Sequence, residues 1–105
     1  MIRAEFRRDS RGPLSLDIRG HAGFAQSGSD IVCAGVTSAV QLTANGITEV
    51  VGCGADVTVE EDCIHITLLG DIPPAAFQMM EALYLHLEIL REQYPQNIQI
   101  TASEV

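Results

Sequence analysis

The chain has 105 residues, 47% of them hydrophobic, which is enough for one domain (residues 1–105) with a hydrophobic core and disfavours a disordered or modular chain. No window of about 18 residues is free of polar side chains, and the first eight residues alternate apolar with charged side chains, so we expect a cytoplasmic protein with no membrane span and no signal peptide. The formal net charge is −8, divided into +2 over residues 1–19 (five arginines, three acids) and −10 over the rest (one arginine, eleven acids), which disfavours direct nucleic-acid binding and favours a basic protein or peptide partner.

The first half of the chain predicts a hairpin, a loop and a helix. Apolar residues alternate with polar ones over residues 2–6 and again over residues 14–18, which indicates two half-buried strands joined by a turn. Residues 20–30 contain three glycines and predict a mobile loop. From residue 31 to about residue 50 the apolar spacing becomes helical, so a helix follows the loop.

The ends of this helix are also predictable. Ser29 and Asp30 are both candidate N-caps, because their side-chain oxygens accept the first backbone N–H groups of a helix. Gly52 or Gly54 ends the helix. The Asn45-Gly46 pair disfavours helical backbone and predicts a weak point that shortens the helix.

The second half predicts two strands, a long helix and a last strand. Apolar and polar residues alternate over residues 57–59 and 64–68, on either side of a polar turn, which indicates two strands. Apolar residues then recur at helical spacing between Pro73-Pro74 and Tyr94-Pro95, and the alternation typical of a strand returns at residues 98–100. The order β-β-α-β-β-α-β predicts an α+β fold, a two-layer sandwich with both helices on one face of a five-stranded sheet. The other face of the sheet must then be polar or covered by a partner.

The second helix predicts a partner, because apolar residues lie nearly all round it and one sheet covers only one side. We therefore expect a homodimer. The residues outside the main apolar stripe are Ala75, Phe77, Met79, Ala82, Tyr84, Leu85 and Ile89.

Cys33 is the cysteine best placed for chemistry. With Asp30 as the N-cap, Cys33 lies in the first helical turn, where unpaired N–H groups and the positive end of the helix dipole favour thiolate over thiol. The same N–H groups are candidate donors to an oxyanion formed by nucleophilic attack. The alternative is a small buried hydrophobe of an amphipathic helix, which is the commoner role for a cysteine at such a position.

His21 is the candidate base, twelve residues before Cys33 and at the predicted end of the second strand. If the glycine loop folds back, its imidazole can deprotonate the thiol and later protonate a leaving amine. The alternative is a turn histidine without a catalytic role. Asp30 either orients the imidazole or caps the helix by accepting the Cys33 N–H, and its negative charge opposes thiolate formation unless His21 is protonated.

The other two cysteines predict no second site. Cys53 lies between two glycines and is typical of a turn residue, whereas Cys63 and His65 lie two apart on a strand and therefore face the same way. Two ligands do not make a metal site, and there is no Cys-x-x-Cys motif, so we expect no metal. Without a secretion signal, all three cysteines are expected to be thiols.

The sequence resembles the bacterial ribosomal-processing cysteine protease family. The resemblance rests on Gly20-His21-Ala22, a glycine loop and Asp30-Ile31-Val32-Cys33-Ala34, and it extends over the whole chain, including Glu92-Gln93-Tyr94-Pro95 before the last strand. It implies a cofactor-free, homodimeric cysteine peptidase that removes a short N-terminal extension from ribosomal protein L twenty-seven. By position in the motifs, Cys33 is the nucleophile, His21 the base and Asp30 the assisting acid.

Two positions depart from the family pattern. Gly35 stands where we expect alanine, which lowers the helix propensity by about 1 kcal/mol, and Thr37 stands where we expect serine but keeps a hydroxyl. Phe24, an aromatic residue among the glycines of the loop, is a candidate contact for an apolar side chain of a peptide substrate.

The sequence therefore predicts a cytoplasmic cysteine endopeptidase with a Cys33–His21 dyad, which removes the N-terminal extension of a large-subunit ribosomal protein precursor during ribosome maturation. The acidic segment would attract such a basic substrate through long-range electrostatics. Two alternatives remain: a non-catalytic acidic protein of ribosome assembly, and a small-molecule acyltransferase or thiol hydrolase that uses the same dyad.

Overall fold

The computed structural model describes residues 1–20, 30–60 and 62–105, and the elements occur in the predicted order. The strands are β1 (Ile2–Asp9), β2 (Gly12–Arg19), β3 (Ala55–Glu60), β4 (Cys63–Leu68) and β5 (Ile98–Glu104). The helices are α1 (Ile31–Asn45), which continues as a π-helical segment (Gly46–Val51), and α2 (Pro74–Gln93). The loop predicted over residues 20–30, with His21 and Phe24, lies outside the described residues except at its two ends.

The five strands form one mixed sheet in the order β3-β4-β2-β1-β5. Three neighbouring pairs are antiparallel, and β5 pairs with β1 in parallel after α2 has crossed the sheet. Because side chains alternate between the faces of a strand, register decides which residues share a face. Phe6, Leu16 and Ile66 lie side by side on β1, β2 and β4, and all three are almost fully buried.

Both helices cover this face of the sheet, as predicted. In α1 the buried valines Val32, Val36 and Val40 recur at a spacing of four, which gives the helix one apolar stripe. Met80 and Leu87 of α2 are at most 1% exposed and belong to the same cluster of buried residues as the valines and the sheet. The fold class is confirmed: an α+β sandwich with two helices on one five-stranded sheet.

The predicted weak point in the first helix is the place where its geometry changes. The α-helix ends at Asn45, and a π-helical turn begins at Gly46. A Cβ at Gly46 would overlap the side chain of Met79, so glycine permits the close approach of α2 here. Of the two predicted terminators, Gly52 ends the segment, in the left-handed region with a φ of +79°.

Some of the apolar residues outside the main stripe of α2 pack in the core. Phe77 is buried, and the Tyr84 ring lies edge-on to Phe6 with ring centroids 5.0 Å apart. Leu85 and Ile89 remain 61% and 43% exposed. The surface on which the expected dimer depends is therefore smaller than the sequence indicates.

The second face of the sheet is polar, which is one of the two outcomes expected for it. We call this surface the open face. Its rows follow from the register of the strands, and on the three central strands its residues are Arg3, Glu5 and Arg7 (β1), Ser15, Asp17 and Arg19 (β2), and Cys63, His65 and Thr67 (β4).

The continuous segment Ile31–Val51 is long and apolar enough to cross a membrane by length and composition alone, with 21 residues and a mean hydropathy of 1.3. Its valine stripe and Ile47 nevertheless pack in the core with the sheet and α2. About 28% of the apolar window is buried in the fold, and one such helix is weak evidence for a membrane span.

Candidate active site

Asp30 is the N-cap of α1, which decides between the two predicted candidates. Its backbone is extended (φ −77°, ψ 103°), and its Oδ1 accepts the N–H groups of Val32 at 3.0 Å and of Cys33 at 3.1 Å. Its carbonyl oxygen accepts the Ala34 N–H at 3.1 Å. Asp30 is 8% exposed, so these bonds are formed largely out of contact with water.

Cys33 lies in the first turn of α1, as predicted. It is half-buried and packs against the core, and its Sγ donates to Oδ2 of Asp30 at 3.3 Å. The carboxylate therefore has two roles at once, with one oxygen on the helix backbone and the other on the thiol. The negative charge of the carboxylate beside the sulfur opposes thiolate formation.

The helix N–H groups proposed as oxyanion donors are already engaged. Those of Val32 and Cys33 donate to the Asp30 side chain, and that of Ala34 donates to the Asp30 backbone. In this conformation the N-cap uses the N–H groups of Val32 and Cys33, and their role as oxyanion donors stays a prediction. The N–H groups of Val32 and Cys33 become available to a substrate only if the Asp30 carboxylate moves away, whereas that of Ala34 stays in its backbone hydrogen bond.

Gly20, the residue before His21, has a conformation that favours glycine. Its φ is +89°, in the left-handed region, and a Cβ would overlap the Met1 carbonyl oxygen. Its N–H donates to the Asp62 carbonyl oxygen at 3.1 Å, which ties the end of β2 to the turn between β3 and β4. The glycine of the Gly20-His21 motif thus fixes the point at which the chain leaves the sheet.

The two departures from the family pattern are tolerated in α1. A Cβ at Gly35 would meet nothing within 4 Å, so the space that alanine would occupy is open. Thr37 is half-buried one turn after Cys33. The structure therefore brings Cys33 and Asp30 together, whereas the predicted positions of His21 and Phe24 lie outside the described residues and the Cys33–His21 dyad stays a prediction.

All three cysteines are thiols, but their surroundings differ. Cys53 is buried, and its Sγ donates to the Gly54 carbonyl oxygen at 3.3 Å. Cys63 is half-exposed on the open face, directly across from Arg19 on β2. Among residues 1–20, 30–60 and 62–105, no group of three or more His, Cys, Asp or Glu side chains is close enough to hold a metal ion.

A cavity of about 420 Å³ lies away from this site, between the β1–β2 turn and the start of α2. The Arg11 guanidinium covers the Phe77 ring at 4.9 Å from its centroid, and the side-chain hydrogen bond with Arg11 lowers the pKa of Asp9. Arg8, on the same wall, pairs with Glu81 at 3.0 Å. Both arginines of the cavity are thus held by carboxylates of the chain itself.

Sequence reasoning missed one group of side chains that the fold assembles on the open face. Nδ1 of His65 lies 2.7 Å from Oδ1 of Asp17, and Nε2 of His65 lies 2.7 Å from Oγ1 of Thr67. The alternation of β4 shows that His65 and Thr67 share a face. Asp17 lies 48 residues away, and only the register of β2 against β4 brings it opposite His65.

Comparison with known proteins identifies the family. The family model described as cysteine protease Prp matches residues 1–99 of the chain. The chain belongs to the cysteine protease Prp family. The ribosomal processing cysteine protease Prp of Bacillus subtilis (strain 168) is 32% identical over 110 residues, with 98% of each chain covered.

Several solved structures share the fold. The crystal structure of an essential ribosomal processing protease Prp from S. aureus, in complex with a covalently linked product peptide, matches with a TM-score of 0.91 and 22% identity, covering 98% of this chain and all of that one. The crystal structure of an essential ribosomal processing protease Prp from S. aureus in complex with a substrate peptide matches with a TM-score of 0.86 and 21% identity, with the same coverage of both chains. The crystal structure of SMU.848 from Streptococcus mutans matches with a TM-score of 0.87 and 25% identity, and the match covers all of this chain and 96% of that one.

The family assignment confirms the resemblance and identifies the protein as a cysteine protease. A cysteine protease needs a nucleophilic thiol, and of the three cysteines only Cys33 lies at the start of a long helix beside a carboxylate.

Proposed function

We propose that this protein is a cysteine endopeptidase that removes the N-terminal extension of a large-subunit ribosomal protein precursor, with Cys33 as its nucleophile and His21 as its base. The observation that carries the proposal is the placement of the Cys33 thiol in the first turn of α1, 3.3 Å from the Asp30 carboxylate. The substrate is inferred from the relatives, which are named ribosomal processing proteases.

The reaction begins with transfer of the thiol proton from Cys33 to the imidazole of His21. The thiolate attacks the scissile carbonyl carbon, and the tetrahedral intermediate expels the amine, which takes a proton from His21. Water, deprotonated by His21, then releases the N-terminal extension from the acyl-enzyme. No cofactor takes part in this sequence.

Asp30 changes partner during this cycle. While Oδ2 accepts the Cys33 thiol proton, the nucleophile is held in its unreactive form. An imidazolium at His21 is a stronger partner for a carboxylate than a thiol is, because the attraction is then between opposite charges. When Asp30 turns towards it, the thiolate is released, and the N–H groups of Val32 and Cys33 become free to donate to the oxyanion.

The charge distribution supports a basic substrate. Residues after position 19 carry a net charge of −10, and ribosomal proteins are basic, so the precursor is attracted to this part of the chain in a salt-dependent way. Phe24 is proposed to contact an apolar side chain of the bound extension. Both features concern recognition of the substrate and leave the Cys33–His21 chemistry unchanged.

The protein is further proposed to act in the cytoplasm as a homodimer. Leu85 and Ile89 of α2 and Leu42 of α1 are exposed apolar residues on the helical layer, with 72% of Leu42 accessible. The two helices pack against each other in the helical layer. A second copy of the chain would remove them from water.

The test is cleavage of an N-terminally extended ribosomal protein, followed by intact mass spectrometry. The expected product lacks the extension and forms with the wild-type chain, but not with Cys33→Ser or Cys33→Ala. Cys53→Ser and Cys63→Ser serve as matched controls, and we expect both to retain cleavage. Processing by Cys33→Ala would rule out the proposed nucleophile.

A further inference from the structure

The open face carries a hydrogen-bonded chain of three side chains that the proteolytic site does not use. The Asp17 carboxylate, the His65 imidazole and the Thr67 hydroxyl are joined by two contacts of 2.7 Å. The side chains of Asp17 and His65 are 30% and 32% exposed, so the chain of bonds is half-buried. All three residues lie on the central strands β2 and β4, whose pairing holds them at fixed spacing.

The tautomer of His65 sets the direction of the two hydrogen bonds. With the neutral imidazole donating its Nδ1–H to Asp17, Nε2 carries a lone pair and accepts the O–H of Thr67. A carboxylate that orients an imidazole, which in turn accepts the proton of a hydroxyl, is the arrangement that activates a hydroxyl nucleophile. The same three groups in this order occur nowhere else among the residues that the structure describes.

Donors for an oxyanion lie in the same row of the sheet. Ser15 is directly opposite Thr67 on β2, and Arg7 is directly opposite Ser15 on β1. Neighbouring strands lie about 4.8 Å apart, so the Arg7 backbone is about 10 Å from that of Thr67 and its long side chain is exposed on the same face. Ser15 and Arg7 thus follow Thr67 in this row on one side, while Asp56 of β3 lies directly opposite Thr67 on the other.

We propose that Thr67 is a second nucleophile of this protein, activated by His65 and Asp17, and that it accepts acyl groups from small activated donors such as aryl esters and thioesters. Oγ1 of Thr67 attacks the carbonyl carbon while its proton passes to Nε2 of His65. The bond between the carbonyl carbon and the leaving oxygen or sulfur breaks, and the leaving group takes that proton. The product is an ester on Thr67.

A purely structural role for the same residues makes a different prediction. Asp17 and His65 are a directly opposed cross-strand pair, and such pairs stabilise a sheet by about 0.2–1 kcal/mol. A structural pair would change the free energy of unfolding when it is mutated but would leave Thr67 no more reactive than any other threonine. Reactivity and stability are therefore measured separately.

The experiment uses p-nitrophenyl acetate as the acyl donor and the full chain carrying Cys33→Ala and Cys63→Ser, which removes the accessible thiols. Peptide mapping by tandem mass spectrometry follows acetylation of each hydroxyl with time. Thr58 and Thr101 are the matched controls, because both lie on the open face but neither shares the bond to His65. Thermal unfolding of each variant checks that it is folded.

We expect acetylation of Thr67 to be faster than that of either control threonine, and His65→Gln to slow it by about 100-fold, the size of general-base assistance. Asp17→Asn gives an intermediate loss, and Thr67→Ser keeps the reaction. If His65→Gln fails to fold, the acetylation rate of Thr67 in Asp17→Asn tests the proposal instead. Acetylation of Thr67 at the rate of Thr58 and Thr101, or at a rate unchanged in either variant, would overturn the proposal.

Discussion

The contact between Asp30 and Cys33 makes a prediction in which stability and reactivity separate. Asp30→Ala removes the N-cap and leaves the N–H groups of Val32 and Cys33 without their acceptor. Loss of an N-cap costs about 0.5–2 kcal/mol, and because the Asp30 cap is buried and accepts two N–H groups, the free energy of unfolding should fall by about 2 kcal/mol, the upper end of that range. Asp30→Ser and Asp30→Asn keep a capping oxygen and should lose less than about 0.5 kcal/mol.

Reactivity of the thiol depends on the carboxylate charge instead of the cap. At an effective dielectric constant of about 20, two charges about 4 Å apart interact by roughly 4 kcal/mol. Because Cys33 is only half-buried, we discount this to about 1.4 kcal/mol, a factor of ten. In a His21→Ala background, where no imidazolium competes for Asp30, Asp30→Asn should therefore speed alkylation of Cys33 by iodoacetamide about ten-fold.

Two measurements test this separation. Urea unfolding gives the free energies of Asp30→Ala, Asp30→Ser and Asp30→Asn, and peptide mapping gives the alkylation rate of Cys33 with Cys63 as internal reference. Alkylation that is unchanged or slower in His21→Ala/Asp30→Asn would refute the idea that the carboxylate holds the thiol protonated. Equal stability of Asp30→Ala and Asp30→Ser would refute the capping role.

Two further predictions concern the surroundings of the site. Gly20→Ala should destabilise the chain by more than about 1 kcal/mol in thermal unfolding, because the φ of Gly20 is +89° and a Cβ would overlap the Met1 carbonyl oxygen. Gly35→Ala should stabilise the chain by up to about 1 kcal/mol, because the new Cβ lies in open space on a helix. A Gly20→Ala variant that is more stable than Gly35→Ala would contradict both expectations. Leu85→Glu should shift the mass measured by light scattering from dimer to monomer, with Glu81→Gln as the control on the same helix, and a monomeric wild-type chain would end the dimer proposal.

The order of the elements could be predicted because periodicity is a local property. The alternation around Phe6 and Leu16 and the four-residue spacing of Val32, Val36 and Val40 each need only one stretch of chain. The weak point at Asn45-Gly46 was also visible, because it depends on backbone propensity. The continuation of the chain there as a π-helix could not be predicted, and the packing of Met79 of α2 against Gly46 joins residues that are distant in sequence.

The site could be predicted as a set of residues but not as a set of hydrogen bonds. Cys33 and Asp30 were identified from their positions at a helix start, and both lie there. That Asp30 accepts the Cys33 N–H is one of its two predicted roles, whereas the bond from the Cys33 thiol to the other carboxylate oxygen depends on side-chain torsions that the sequence does not specify. The pairing of Asp17 with His65 likewise depends on the register of two strands that are distant in sequence.

The most direct test of the central claim is to trap the acyl-enzyme. The chain is mixed with an N-terminally extended ribosomal precursor, quenched with acid after short times and analysed by intact mass and peptide mapping. We expect a transient species in which the extension is attached to Cys33 through a thioester, and we expect Cys33→Ala to show neither this species nor cleavage. Cleavage that proceeds in Cys33→Ala, or an adduct on Cys53 or Cys63 instead, would contradict it.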